Sequence, residues 1–174
     1  SRGILKKVIG LFNNMGLDPI IAPEIEFYLV KENNDPDYPL ETPSGQSGRI
    51  EKGNQSYGID AINEFDHIFE DLYDYCEAQD LDVENINHED GPAQMEINFK
   101  HGNPLELADQ VFLFKRTLRQ TALKHNLYAT FMAKPLENSP GNSMHIHQSI
   151  LKKGKPVFVN KDLKTTKYFD SYLG

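Results

Sequence analysis

The sequence predicts an α+β domain in which antiparallel strands form a sheet and helices pack behind it. Two patterns support this fold class. Apolar residues recur at helical spacing in three long segments, and in the segments between them polar and apolar residues alternate with period two. A chain of 174 residues corresponds to about one domain, and 39% hydrophobic residues with eight Tyr and ten Phe are enough for one core.

Apolar stripes predict the first two helices, over residues 2–15 and 61–79. Gly16 suits the left-handed residue that ends a helix, and Asp60 is the predicted N-cap of the second helix. Because Cys76 lies on the second stripe, we expect it in the core and not as a nucleophile. The two stripes consist of Ile4, Leu5, Val8, Leu11 and Phe12, and of Ile62, Phe65, Phe69, Leu72 and Cys76.

The third predicted helix has the clearest start signal. Asn103 is followed by Pro104 at the first helical position and by Glu106 three residues after the cap. Asn126 suits the left-handed residue at its end. Its predicted core face consists of Ala108, Val111, Phe112, Leu118 and Ala122.

Four segments alternate with period two and are predicted strands: 22–30, 93–100, 127–134 and 143–151. In the first, Ile25, Phe27 and Leu29 face one way, while Glu24, Glu26 and Tyr28 face the other. Residues 31–57 are rich in Pro, Gly and polar side chains, and they predict a long flexible loop.

Two glutamates on one strand face are unusual, because Glu is depleted in strands and neighbouring carboxylates repel each other. One explanation is that the polar face of a half-exposed strand simply meets water. The alternative is a divalent cation, since Mg²⁺ and Mn²⁺ prefer carboxylate oxygens and Mn²⁺ also accepts imidazole. The candidate metal ligands are Glu24, Glu26, Glu89, Glu96 and His145.

The composition argues against several classes of function. The net charge of −8 and the lack of any basic run longer than two residues argue against nucleic-acid binding. A single cysteine cannot form an internal disulfide. The sequence contains no apolar stretch of about 18 residues, so we do not expect a membrane as partner. We expect a cytoplasmic protein. The sequence also lacks the GxxxxGK[ST], GxGxxG, HExxH and GxSxG motifs.

Four motifs, in this order, resemble the catalytic domain of the glutamine synthetase family. They are PEIEF at 23–27, HEDGPAQME at 88–96, ATFMAKP at 129–135 and GNSMHIHQS at 141–149. Within the family, the runs 93–99, 131–135 and 145–149 are most similar to the branch that joins glutamate to putrescine or another polyamine. Asn142-Ser143 departs from the Ser-Gly pair of many relatives and reduces backbone freedom there.

The resemblance implies a role for each matching position. Glu26, Glu89 and Glu96 would hold one Mg²⁺ or Mn²⁺, and Glu24 and His145 would hold a second. Gly141 would meet the glutamate substrate through its main chain. The residues implied to contact ATP are Glu84, Phe99, Lys100, His101, His147 and Ser149.

The resemblance further implies a metal-lined funnel and phosphoryl transfer from ATP to the γ-carboxylate of glutamate. An amine then attacks the γ-glutamyl phosphate; a polyamine is favoured, and ammonia, as in glutamine synthetase proper, is the alternative. A non-catalytic member that binds metal or nucleotide is the alternative of another class. Residues 1–174 would be the front half of the catalytic domain, inactive alone, and the complete protein would be a ring-shaped homo-oligomer.

Overall fold

A single long strand organises the fold of residues 2–174, which the computed structural model describes. This strand, β1, pairs with three others, and all the pairings in the sheet are antiparallel. The elements are α1 (Arg2–Asn14), β1 (Asp18–Lys31), α2 (Ile59–Asn63), α3 (Asp66–Ala78), β2 (Val83–His88), β3 (Gln94–Phe99), α4 (Pro104–Lys124), β4 (Leu127–Thr130), β5 (Met144–Lys152), β6 (Lys155–Pro156) and α5 (Lys167–Leu173).

The sheet has the strand order β2-β3-β1-β5-β6, and β4 pairs with the carboxyl end of β1. The predicted α+β class with an antiparallel sheet and helices behind it is therefore confirmed. Within residues 2–174, none of the helices is both long enough and apolar enough to cross a membrane.

The core lies between one face of the sheet and helices α3 and α4. Ile25, Phe27 and Leu29 of β1 are at most 1% exposed, so the predicted alternation of this strand is correct. Phe99 of β3 packs edge-to-face against Phe114 of α4, with ring centroids 5.4 Å apart. The polar residues of β1 therefore lie on the opposite face of the sheet.

The predicted helix over 61–79 divides into α2 and α3. Phe65 sits at the N-cap of α3 with a non-helical backbone and is 2% exposed. Its burial fixes the break, because the ring enters the core at the point where the chain turns. The prediction of Asp60 as N-cap is wrong, since Gly58 caps α2 and Asp60 lies in its first turn. Cys76 is buried as predicted, and burial raises the pKa of its thiol to about 11.

Helix α4 begins at the predicted residue, and Asn103 Oδ1 accepts hydrogen bonds from the N–H groups of Leu105 and Glu106. Its buried face agrees with the prediction at Val111, Leu118 and Ala122 and differs at the two other predicted positions. Ala108 is exposed, and Phe112 is 73% exposed, whereas the buried residues are Pro104, Leu107, Val111, Phe114, Thr117, Leu118, Thr121 and Ala122. Asn126 and Gly16 have the predicted left-handed backbone, with φ of 58° and 69°.

Helix α1 forms as predicted, but none of its residues is buried. Leu5, Ile9 and Phe12 are half-buried, while Ile4 and Leu11 are exposed. The stripe predicted from the sequence therefore divides between a packed and an exposed side.

Three elements were missed, and one strand is shorter than predicted. β2, β6 and α5 were not predicted, because β2 alternates weakly and the other two have only two and seven residues. The strand predicted over 127–134 ends at Thr130, where the chain enters an irregular segment up to β5.

Candidate metal and nucleotide site

The register of the sheet brings the acidic residues of separate strands to one face. Glu24 of β1 lies opposite Asn98 of β3, and Glu26 lies opposite Glu96. On the other side of β1, Glu24 lies opposite His145 of β5. Because side chains two residues apart point to the same face, these pairings place three carboxylates and an imidazole together.

Glu26 is fixed in one orientation by hydrogen bonds to one of its two oxygens. Its Oε2 accepts a hydrogen bond from the Ser143 N–H at 2.9 Å and another from Gln94 Nε2 at 3.1 Å. Its Oε1 lies 3.6 Å from His145 Nε2. The side chain of Glu26 is 10% exposed and that of His145 57%. Glu26 thus presents a single oxygen towards the outside of the sheet.

Glu89, which follows β2, belongs to the same acidic group. Burial raises the pKa of Glu89, and the charges of Glu96 and Glu26 raise it further. Burial likewise raises the pKa of Glu96, with further contributions from Glu24 and Glu26. The charged forms of Glu89 and Glu96 are therefore destabilised by burial and by the neighbouring carboxylates.

The structure pairs the two histidines differently from the implied metal sets. His147 Nε2 lies 2.8 Å from Glu24 Oε1, although His147 was implied to contact ATP. His145 is the register partner of Glu24, yet its ring approaches Glu26. Among residues 2–174, no three His, Cys, Asp or Glu side chains converge closely enough to hold a metal as they stand. Binding a cation therefore requires rotation of side chains on this face.

The residues present fit a hard divalent cation in their chemistry. Carboxylate oxygens with an adjacent imidazole are the donors that Mg²⁺ and Mn²⁺ accept. Asn98 is the register partner of Glu24, and its Oδ1 is buried without a hydrogen-bond partner. The amide nitrogen of Asn98 donates to Glu96 Oε1 at 3.2 Å, which orients that carboxylate. A cation bound with its water shell would balance the charge of the acidic face and give the unpaired Asn98 oxygen a hydrogen-bond donor.

Three of the residues implied to contact ATP line one cleft. His101, His147 and Ser149 surround a volume of about 370 Å³, together with apolar residues that include Ile20 and Ile21. The cleft is next to the acidic face, because His147 belongs to both. A predominantly apolar cleft with a few polar side chains is the usual form of a small-molecule site.

The other three residues implied to contact ATP do not line this cleft. The side chain of Phe99 is 2% exposed and packs in the core, so only its main chain is available to a nucleotide, and its place in the nucleotide site stays a prediction. Phe99 alternates with Asn98 along β3, so its ring points away from the acidic face. Lys100 is exposed just after β3, and Glu84 is exposed at the irregularity in the β2–β3 register.

Gly141 lies beside the acidic face in the segment that precedes β5. Its carbonyl accepts a hydrogen bond from Gln94 Nε2 at 3.0 Å. A Cβ at this position would lie 2.6 Å from the carbonyl oxygen of Ala133, so only glycine fits without a shift of the backbone. The main chain here is therefore held close to Glu26.

Sequence reasoning missed the residues that hold the site together. Tyr28 was predicted to line the polar face, but it is fully buried there and donates from its OH to the Pro140 carbonyl at 2.8 Å. Burial, followed by the charge of Glu26, raises the pKa of Tyr28 to about 12, which keeps the phenol protonated. Gln94 and Asn142 lie within two of the four sequence motifs. Their side-chain amides, which both donate and accept hydrogen bonds, were the signal that could have identified them as residues that hold the site together.

Residues 32–57 contain turns, bends and an isolated bridge between Ser44 and Ile50. Part of this predicted flexible loop is bound to the β2–β3 turn. Glu51 Oε2 accepts a hydrogen bond from the Ala93 N–H at 2.8 Å and lies 3.0 Å from His88 Nε2. The loop thus reaches the turn that carries Glu89.

The chain is similar to enzymes of known activity over nearly all its length. It is 37% identical over 161 residues to the glutamine synthetase of Pyrococcus abyssi, covering 92% of this chain and 34% of that protein. It is 36% identical over 152 residues to gamma-glutamylputrescine synthetase PuuA of Escherichia coli K12, covering 86% of this chain and 32% of that one. The chain thus spans about a third of the length of these relatives.

The fold is also similar to that of solved glutamine synthetase structures. The cryoEM structure of Plasmodium falciparum glutamine synthetase superposes with a TM-score of 0.81 and 25% identity, covering 92% of this chain and 36% of that chain. The sheet accordingly forms a curled half-barrel backed by helices. The family model described as the glutamine synthetase catalytic domain matches residues 1–174, and the chain therefore belongs to the glutamine synthetase family.

Proposed function

We propose that the protein is an ATP- and divalent-metal-dependent ligase that activates the γ-carboxylate of glutamate and joins it to an amine. The observation that carries this proposal is the register of β1 with β3 and β5, which aligns Glu24, Glu26 and Glu96 beside His145. The relatives described above are a glutamine synthetase and a gamma-glutamylputrescine synthetase, and the four motifs of this chain resemble the catalytic domain of that family.

The acidic face would hold two divalent cations. Glu26, Glu89 and Glu96 form the set for one, and Glu24 with His145 contributes to the other. Bound Mg²⁺ or Mn²⁺ would neutralise the triphosphate and orient the γ-phosphoryl group. Without such charges, the acidic face would repel both ATP and glutamate.

The side chains next to the acidic face would bind and orient the two substrates. His101, His147 and Ser149 line a cleft that suits a nucleotide, with His147 at the junction between cleft and carboxylates. Gly141, in the segment before β5, would meet glutamate through its main chain. Binding at these two places would bring the γ-carboxylate against the terminal phosphate, so that positioning supplies much of the catalysis.

For the acceptor, we propose a polyamine such as putrescine, which the sequence runs 93–99, 131–135 and 145–149 favour. Ammonia is the second candidate, because glutamine synthetases are as similar to this chain as the putrescine enzyme is. The complete protein would assemble as a ring of identical subunits, as implied by the family.

Metal binding is tested by calorimetric titration of this chain with Mn²⁺. We expect saturable binding that is lost or weakened at least tenfold in Glu26→Ala and Glu96→Ala. Glu70→Ala is the matched control, since Glu70 is exposed on α3, behind the sheet. If the wild-type chain binds no Mn²⁺, or if Glu26→Ala binds it equally well, the proposed site is wrong.

The reaction is tested on the complete polypeptide by phosphate release from ATP in the presence of glutamate. Parallel assays with putrescine and with ammonia distinguish the two acceptors by kcat/KM. Release that depends on glutamate but proceeds equally without any amine would contradict ligation. Binding of Mn²⁺ and an ATP analogue with no product from either amine would identify the non-catalytic alternative.

A further inference from the structure

The side chain of Gln94 is a buried junction between three parts of the site. Gln94 is 1% exposed, and its Oε1 accepts a hydrogen bond from the Gly91 N–H at 3.0 Å. Its Nε2 lies 3.1 Å from Glu26 Oε2, 3.0 Å from the Gly141 carbonyl and 3.1 Å from Asn142 Oδ1. An amide nitrogen carries two protons, so three acceptors share two donors.

The segment that contains Gly141 is held at successive positions. Tyr28, the register partner of Gln94, donates to the Pro140 carbonyl at 2.8 Å. Gln94 donates to the next carbonyl and to the side chain after it, and the Ser143 N–H donates to Glu26 at 2.9 Å. Residues 140–143 are therefore bonded continuously to β1 and β3.

The packing leaves this segment little freedom to move away. The Asn142 N–H donates to the Ala133 carbonyl at 2.9 Å, and Asn142 Nδ2 donates to the Met132 carbonyl at 2.9 Å. A Cβ on Gly91 would lie 1.9 Å from the Tyr28 hydroxyl and 2.7 Å from Gln94 Oε1. Buried amides in such closely packed networks specify one arrangement, because any alternative leaves donors unpaired.

We propose that Gln94 is a positioning residue that couples the metal-binding carboxylate of Glu26 to the main chain at Gly141. One amide both turns Glu26 Oε1 outward and sets the position of the segment that faces the amino acid. This inference rests on the proposed function, because it assigns Glu26 to a metal and Gly141 to glutamate. It follows that metal and glutamate strengthen each other's binding partly through Gln94, and by linkage the effect is reciprocal.

The competing explanation is that Gln94 only fills the interior. A side chain of similar length and volume would then replace it without changing the ligands' affinities. Gln94→Met is that replacement, because methionine fills the space but donates no hydrogen bond. Gln110→Met is the matched control. Gln110 lies on α4, which packs on the core side of the sheet, and it also makes two hydrogen bonds, accepting from the Asp82 N–H and donating to the Asp82 carboxylate.

The experiment is calorimetric titration of the complete polypeptide with Mn²⁺, with and without saturating glutamate. For Gln94→Met we expect Mn²⁺ affinity to fall about tenfold and the gain produced by glutamate to disappear. We also expect faster hydrogen exchange at the Ser143 N–H, which needs no ligand. Gln110→Met should behave as wild type in all three measurements.

The outcomes separate the two proposals. If the wild-type protein binds no Mn²⁺, the proposed function fails and this inference fails with it. If the wild type binds Mn²⁺ and Gln94→Met retains the same affinity and glutamate effect, only the coupling role is wrong. Should circular dichroism show Gln94→Met to be unfolded, Gln94→Asn decides the question, since it keeps a side-chain amide that is one methylene shorter and cannot bridge Gly91 to Glu26; an unchanged glutamate effect there overturns the inference.

Discussion

His88 and Glu51 form a buried pair, with His88 Nε2 lying 3.0 Å from Glu51 Oε2 and side-chain exposures of 0% and 14%. Although burial opposes it, the hydrogen bond and charge of Glu51 raise the pKa of His88. Burial also opposes ionisation of Glu51, but hydrogen bonds from His88 and the Ala93 N–H lower its pKa. The pair joins an irregular segment to the residue that precedes Glu89.

Replacing Glu51 with glutamine should destabilise the chain by about 2 kcal/mol, because a hydrogen bond to a charged group is lost and His88 stays buried. The free energy of unfolding in urea at pH 6 measures the effect. The control is Glu41→Gln, since Glu41 pairs with Lys31 at the surface, with exposures of 68% and 41%, and such pairs contribute little. Equal stability of the two variants would contradict this account.

The effect of Glu51→Gln should also depend on pH. The raised pKa of His88 gives stability that is complete below about 6.5, its unfolded value, and is lost as pH rises through the folded value. The lowered pKa of Glu51 gives stability that is present above about 4.5 and is lost as pH falls through the folded value. The difference between wild type and variant should therefore be largest near pH 5–6. A difference that grows towards pH 8 would be inconsistent with the pairing.

Glu96→Gln should stabilise the metal-free chain at pH 7. Its raised pKa means that the folded state disfavours the charged form, so stability falls as pH rises above the unfolded pKa of about 4.5. A neutral amide removes that cost, and we expect the Tm of the chain to rise by about 2–4 °C. With saturating Mn²⁺ the order should reverse, because the wild type gains binding energy that the variant lacks. Thermal unfolding with and without Mn²⁺ measures both Tm differences. A Glu96→Gln variant that is less stable than wild type under both conditions would contradict the prediction.

The carboxylates could be predicted from the sequence, but their partners could not. Alternation identified the faces of β1, because the period of two is a local property of the strand. The contact of His147 with Glu24 depends on the register between β1 and β5, which are more than a hundred residues apart. Tyr28 was assigned to the correct face, yet it is buried there, and its OH donates to the Pro140 carbonyl of the distant segment before β5. Contacts of that kind depend on tertiary structure.

Helix α4 shows how a helical pattern can leave part of the buried face undetermined. Phe112, Leu113 and Phe114 are consecutive, so helical spacing alone allows more than one apolar face. The structure buries Phe114 at 0% exposure against Phe99 and leaves Phe112 73% exposed. The choice depends on the position of β3, which the helix sequence does not encode.

Phe114→Ala should therefore cost about 3–5 kcal/mol, because it leaves a cavity beside Phe99 in the core. Phe112→Ala is the control two residues away, and we expect a change within about 0.5 kcal/mol. Urea denaturation of both variants measures the difference. A larger loss for Phe112→Ala than for Phe114→Ala would mean that the helix packs by the other face.

Two glycine substitutions should have opposite effects on stability. In Gly141→Ala, the new Cβ would lie 2.6 Å from the Ala133 carbonyl oxygen, and the backbone around it must shift. We expect a loss of about 1–3 kcal/mol, as for an overpacked core, together with weaker glutamate binding in the complete polypeptide. Gly10→Ala meets no atom within 4 Å in α1 and should gain about 0.5–1 kcal/mol from helix propensity.

The pair separates local crowding from a general effect of removing glycine. Both substitutions add one methyl group and both restrict the unfolded chain, so a difference in sign must come from the folded state. Urea denaturation of the two variants measures stability, and isothermal titration with glutamate measures the consequence at the site. If Gly141→Ala is as stable as wild type and binds glutamate unchanged, the segment before β5 is free to shift, and its close approach to Ala133 does not position the substrate.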